Sequence, residues 1–213
     1  MARLPQLLDH RGMPVRRADL REEIAAPSIT GIRSPLSGYP SDGLNPARLG
    51  TILREADAGN PVRYLELAEI IEERNEHYLG VLGTRKRSVT QLPITVQNGS
   101  DDPLDKQIAE DVRDWLARDE LADELFDIMD AVGKGYSHTE IIWEHSAGQT
   151  WPQRLEWRDP RWFRFDRRDL KTPVMLDDTG AEKPYPAFKF IYARMQAKSG
   201  LPIRSGLARV ATW

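Results

Sequence analysis

The chain has 213 residues, 40% of them apolar and 30% charged, with fifteen prolines, fifteen glycines and no cysteine. That is long and apolar enough to bury a core and too apolar for a wholly disordered chain. The formal net charge of −3, from 30 bases and 33 acids, excludes a broad electrostatic platform for nucleic acid. The missing cysteines exclude disulfides, thiolate metal sites and a cysteine nucleophile.

Residues 1–46 form the first unit, an extended N-terminal arm. Its opening, MARLPQLLDHRGMPVRR, carries bases but no uninterrupted apolar run, so it does not read as a signal peptide. Further on, Pro27, Pro35, Pro40 and Pro46 alternate with Gly31, Gly38 and Gly43, a pattern that neither a continuous helix nor a central strand tolerates. Ile24, Ile29, Ile32, Leu36 and Tyr39 are spaced through it. Such spaced apolar anchors suit docking on another surface; the alternative is an ordered tail packed on its own domain.

Residues 47–213 read as an α+β domain, with helices over about 47–132 and mostly strands over 136–213. Asn45-Pro46 starts a helix that carries Leu49, Ile52, Leu53 and Ala56 and stops at Gly59. A second helix opens at Asn60-Pro61 and runs through Arg85-Lys86-Arg87 to about Val89. Those late bases complement the helix dipole; contact with a phosphate backbone is the sharper alternative, for which three charges are few. QLPITVQ, 91–97, reads as a short strand. From Leu104 the pattern is helical again, with a break expected near Arg118-Asp119. Ile108, Val112, Trp115 and Leu116 form one apolar face there, and Leu121, Leu125, Ile128, Met129 and Val132 another. HTEIIWEH, WPQRLEWRDP, WFRFD, PVMLDD and FKFIYARM are then strand-like, aromatic and β-branched. Helices followed by strands indicate α+β, not alternating βαβ. No stretch approaches the ~20 apolar residues of a membrane span, and the chain reads as soluble, made in a reducing cytoplasm.

Chemical motifs fail one by one. His138-x-Glu140 has the spacing of a zinc deaminase, but that site needs a Pro-Cys-x-x-Cys. HExxH is absent, and no pair among His10, His77, His138 and His145 has helical i, i+4 spacing. Gly133-Lys134-Gly135 follows a helix, whereas a phosphate-binding loop precedes one, so it reads as a helix stop. On the strand after it, His138, Glu140, Ile142 and Glu144 alternate with Thr139, Ile141, Trp143 and His145. The second set is expected to face the core, with Trp143 packed inside. There is no GxSxG elbow, and no carboxylate pair is singled out as acid and base. Arg158-Asp159-Pro160-Arg161-Trp162-Phe163 invites a nucleic-acid reading, against the plainer one of core aromatics with surface charge. The residues thus assign no catalytic, cofactor or metal site. A nucleic-acid-binding module using these basic and aromatic side chains is the alternative function.

Several blocks together carry a resemblance: LREADAGNPVRYLELAEIIEERNEHYLGVLGTRKRSV, DIMDAVGKGYSHTEIIWE, WRDPRWFRFD and SGLPIRSGLARVATW. They resemble, in order and over nearly the whole chain, the portal proteins of Mu-like phages and prophages. The upstream TGIRSPLSGYPSDGLNPARL is similar to that family's extended N-terminal segment. The resemblance implies a structural, non-enzymatic protein without a cofactor: a ring, commonly of about twelve subunits, at a capsid vertex. DNA is packaged through such a ring by the terminase motor, and the tail is joined to it by head–tail joining proteins. It implies a place in the virion, in the host cytoplasm during assembly and at no membrane. Relatives continue beyond GLARVATW into channel-lining helices, so this stretch is expected to be the outer, wing-like part of a longer product, with no DNA-contacting residue assigned.

Overall fold

A computed structural model describes residues 6–36, 38–146 and 149–212. The chain is α+β: helices fill the first half and two small antiparallel sheets the second. The arm is extended through most of its length but contains one short helix, α1 (Arg17–Arg21), which its prolines do not forbid because none falls within it.

α2 (Pro46–Asp57) starts where Asn45-Pro46 predicts. The Asn45 side chain accepts from the Arg48 N–H at 2.9 Å, Pro46 needs no donor partner, and Leu49, Ile52 and Ala56 face inward. The expected single helix over 61–89 is two. α3 (Val62–Arg74) ends and α4 (Glu76–Thr90) begins at Asn75, whose backbone is extended and whose side chain accepts from the Tyr78 N–H at 2.9 Å. Hydrophobic periodicity continues across this point, but an asparagine side chain can replace the helical hydrogen bond and start a new helix.

Residues 91–97 are irregular, not a strand. Pro93 removes a ladder donor, every residue of the stretch except Val96 is exposed, and the Val96 carbonyl accepts from Arg113 instead. α5 (Pro103–Leu116), capped by Asp102, and α6 (Leu121–Ile128) follow, separated at 117–120 as expected. Ile108 and Val112 are exposed on α5, because this helix stands off the body. It is fixed mainly through Trp115, whose Nε1 donates to the Pro152 carbonyl at 2.6 Å, and Arg113.

α7 (Ala131–Lys134) ends at Gly135 with φ +98°, the left-handed stop expected of GKG. A Cβ at Gly135 would lie 2.4 Å from the Pro202 carbonyl oxygen, so glycine is also required for the close approach of residues 202–206. β1 (Tyr136–Ser146) is the centre of the first sheet, between β2 (Gln149–Arg158) and β6 (Phe190–Arg194). His138 pairs with Arg158 and Tyr192, and Glu140 with Glu156 and Phe190. The second sheet is β3 (Phe163–Phe165), β4 (Pro173–Leu176) and β5 (Glu182–Lys183) in that order. α8 (Ala208–Ala211) closes the described chain.

Two apolar clusters hold these elements. Leu49, Ile52, Tyr64, Leu65 and Leu67 pack on Tyr136, Phe165 and Ile203. Ala25 of the arm packs with Trp162, Phe163 and Met175. The facing expected for β1 is corrected by the structure. Residues 136–140 are buried on both faces, Ile142 is buried, and Trp143 is only half-buried. Helix α6 covers one face, where Ser137 Oγ donates to the Ile128 carbonyl at 2.7 Å. The arm and the β3 aromatics cover the other. A register shift between Ile142 and Trp143 then breaks simple alternation, and the Trp143 Nε1 donates to the Phe188 carbonyl at 2.6 Å.

Candidate functional site

Glu140 is fully buried in the middle of β1, a position where a lone carboxylate would be strongly disfavoured. It is compensated from three directions. The backbone N–H groups of Ile24 and Ala25 donate to its two oxygens at 2.7 and 3.0 Å. Arg158 Nε, from the paired strand, donates at 2.9 Å, and Lys189 Nζ lies 3.3 Å away. Arg158 also pairs with Glu23 of the arm. Lys189 donates to the Leu20 and Glu22 carbonyls at 2.9 and 2.6 Å. Burial lowers the pKa of Lys189, an effect opposed by the Glu140 carboxylate beside it. The cluster therefore clips arm residues 20–25 to the sheet, mostly through backbone groups.

Beyond the clip the arm is fixed at two further points. Arg33 is buried and donates to the carbonyls of Ile24 (2.6 Å) and Leu176 (3.2 Å). The Gly38 N–H donates to Glu66 Oε1 at 2.9 Å. Between and after these fixings the apolar side chains point outward. Ile29 is 94% exposed and Leu36 80%, and Tyr39 and, marginally, Ile32 are exposed as well. Ile24 differs: it is half-buried and packs against the Trp162–Phe163–Met175 cluster. Of the five residues singled out in the arm, Ile24 is a packing residue of its own body, whereas Ile29, Leu36 and Tyr39 lie open. A groove of about 400 Å³, lined by Leu7, Arg17, Leu20, Trp143, Trp151 and Phe188, separates the arm's start from the β1–β2 hairpin.

The other motifs resolve into interior packing. His138 is completely buried between Phe163 (ring centroids 3.9 Å, nearly parallel) and Tyr192 (5.3 Å), with Nδ1 3.1 Å from the Tyr185 hydroxyl. Burial pushes its pKa down to about 3, so the ring is neutral and aromatic in role. Among the described residues, no three His, Cys, Asp or Glu side chains are grouped to hold a metal ion.

Lys134 of GKG is buried, 2.8 Å from Asp130 and 3.4 Å from Glu69. Burial alone would lower its pKa, but these carboxylates more than offset that and leave it above the usual range. Burial raises Glu72 nearby, and the Asp130 charge adds to the shift.

Of the Arg85-Lys86-Arg87 cluster, Lys86 is buried, 3.7 Å from Asp130 and over the Phe126 ring. Arg158 and Arg161 are buried too, and Arg161 Nε bonds Asp159 at 2.8 Å. Trp162 and Phe163 lie in the core. Lys86, Arg158, Arg161, Trp162 and Phe163 thus engage partners inside the protein, whereas Arg85 and Arg87 are exposed.

Sequence reasoning missed the Glu140–Arg158–Lys189 cluster. Its partners on the arm are 115 and 116 positions away from Glu140. The available signal was a glutamate in an otherwise apolar strand centre, paired to an Arg-bearing strand.

The family model described as the portal protein of Mu bacteriophage matches residues 65–213. A Mu-like prophage protein, FluMu gp29 of Haemophilus influenzae, is 30% identical over 213 residues, 98% of this chain and 41% of its own. The portal protein of Escherichia phage Mu is 26% identical over 212 residues, again 98% of this chain and 41% of its own. The chain thus spans about two-fifths of the length of both relatives.

Proposed function

Since the chain belongs to the portal-protein family of Mu bacteriophage, we propose that it is the N-terminal, wing-like part of a portal subunit. Copies of the complete protein assemble into a ring at one capsid vertex. DNA is packaged through that ring by a terminase motor, and the tail is joined to it. The role is structural, in the virion and beforehand in the host cytoplasm, and no catalytic step is assigned to any residue. Residues 1–46 serve as the arm and 47–213 as the body that carries it.

One observation supports this reading most: the arm is clipped at its base yet displays Ile29, Leu36 and Tyr39 to the outside. A monomer gains nothing from holding large apolar side chains in water. Burying each against a neighbouring subunit or the capsid would contribute about 1.5–3 kcal/mol. A ring uses one patch against a different patch on the next copy, which suits an arm fixed along its own body with apolar side chains turned outward.

The test is negative-stain electron microscopy of the complete protein that contains this chain. Rings with a central channel are expected; a dispersion of single subunits at micromolar concentration would overturn the proposal.

A further inference from the structure

α5 is the second place where apolar side chains stand in water without a partner. Leu104, Ile108 and Val112 recur every fourth residue, and all three are exposed, Leu104 at 65% and Ile108 at 51%. They form a stripe about 12 Å long at the helical rise of 1.5 Å per residue. Ala109, about 100° round the helix from the stripe's centre, is the buried residue of this helix, and Trp115 in its last turn is tied to Pro152. The helix is therefore attached at its C-terminal end while its N-terminal turns overhang with the apolar stripe outward.

The surroundings of the stripe are strongly acidic. Residues 101–116, the α5 helix with its cap and the residue before it, contain six acids against two bases, although the whole chain is nearly balanced. Asp105 and Asp111 flank the stripe, since successive helical residues turn by about 100°. Among the described residues, Asp111 accepts from the neutral Gln107 amide at 2.9 Å and Asp105 from the Ser100 hydroxyl at 2.6 Å. A partner for this face should bring apolar side chains accompanied by positive charge.

The chain carries such a surface at its own N-terminal end. Residues 6–21 hold four arginines against two aspartates. Leu8 and Met13 are exposed there, as are Arg11, Arg16 and Arg21. In the same copy the Leu8–Pro14 bridge closes this segment on itself, and Lys189 at the Leu20 carbonyl ties its end to the sheet.

We infer that the acidic apolar stripe of α5 receives the basic N-terminal segment, residues 6–21, of a second copy of this chain. Each copy then gives one contact and receives a different one, a head-to-tail interface that propagates or closes. The inference rests on the proposed assembly of copies into a ring, and names where neighbouring copies meet.

Charge exchange in the complete protein tests it, with assembly followed by mass photometry. Asp105→Arg with Asp111→Arg, and separately Arg11→Glu with Arg21→Glu, should each raise the concentration needed for assembly about tenfold or more. Combining all four should restore assembly most of the way. Ile108→Ser, a change on the exposed face that leaves the helix's own contacts in place, should weaken assembly without altering the circular dichroism. Rings from wild type that form equally well from all these variants would overturn the inference while leaving the ring proposal standing. No rings from wild type would overturn the ring proposal, and this inference with it.

Discussion

Replacing Glu140 by glutamine keeps the side-chain shape and removes one charge. The loss can be worked from its contacts. Arg158 and Lys189 are both buried, and without Glu140 their remaining counter-charge is the partly exposed Glu23. Breaking a buried pair by removing one partner costs about 3–5 kcal/mol. Two backbone donors, Ile24 and Ala25, meet the two carboxylate oxygens. An amide offers one oxygen, so one N–H faces an NH₂ group and adds about 1–3 kcal/mol. A total of about 5 kcal/mol would remove much of the stability of a typical domain and lower a urea midpoint by roughly 2 M. Hydrogen exchange locates the damage: the Ile24 and Ala25 amides should lose protection first, with the helical core following only at global unfolding. A midpoint within about 0.3 M of wild type, with both amides still protected, would refute the claim that Glu140 clips the arm to the sheet.

His138→Phe keeps the stack on Phe163 and Tyr192 and should abolish one acid-labile contribution. The folded-state pKa is depressed to about 3 from 6.5, so its contribution is fully present above pH 6.5 and is lost as pH falls toward 3. Between pH 7.5 and 5.5 wild type should lose about 1.4 kcal/mol that the variant does not; parallel denaturation curves at the two pH values would contradict this. Gly135→Ala combines a φ of +98° with a Cβ 2.4 Å from the Pro202 oxygen. It should cost about 3 kcal/mol or more; a loss under about 0.5 kcal/mol in a denaturant melt would show that the 202–206 segment is not seated there. Trp143→Ala should cost about 2 kcal/mol, less than the ~3–5 of a fully buried tryptophan, because the ring is half-buried and bonded to the Phe188 carbonyl. A loss at the top of that larger range would restore the inward facing that alternation suggests.

Local chemistry was readable from the sequence. Asn45-Pro46 started α2, Gly135 stopped α7, and the aromatic, β-branched runs became β1, β2, β3, β4 and β6. The blocks resembling Mu-like portal proteins led to the right family. What failed depended on neighbours distant in the chain. Alternation along β1 cannot show that an arm and a second sheet cover the His138–Glu140 side, and by itself it points Trp143 inward. Periodicity on α5 cannot show that the helix overhangs the body, so Ile108 and Val112 looked like core. Asn75 could have been recognised locally, since asparagine favours helix starts, but the apolar pattern running through it masked the break. The arm posed two readings and the structure divides it: Ile24 packs on its own body, while Ile29 and Leu36 remain open.

The decisive measurement is hydrogen exchange on the complete protein, compared between assembled and dissociated states. Residues 20–25, clipped by Glu140, should be equally protected in both, whereas the segments around Ile29 and Leu36 and the N-terminal turns of α5 should exchange more slowly on assembly. Equal exchange of these segments in the two states would refute the proposed contacts between copies.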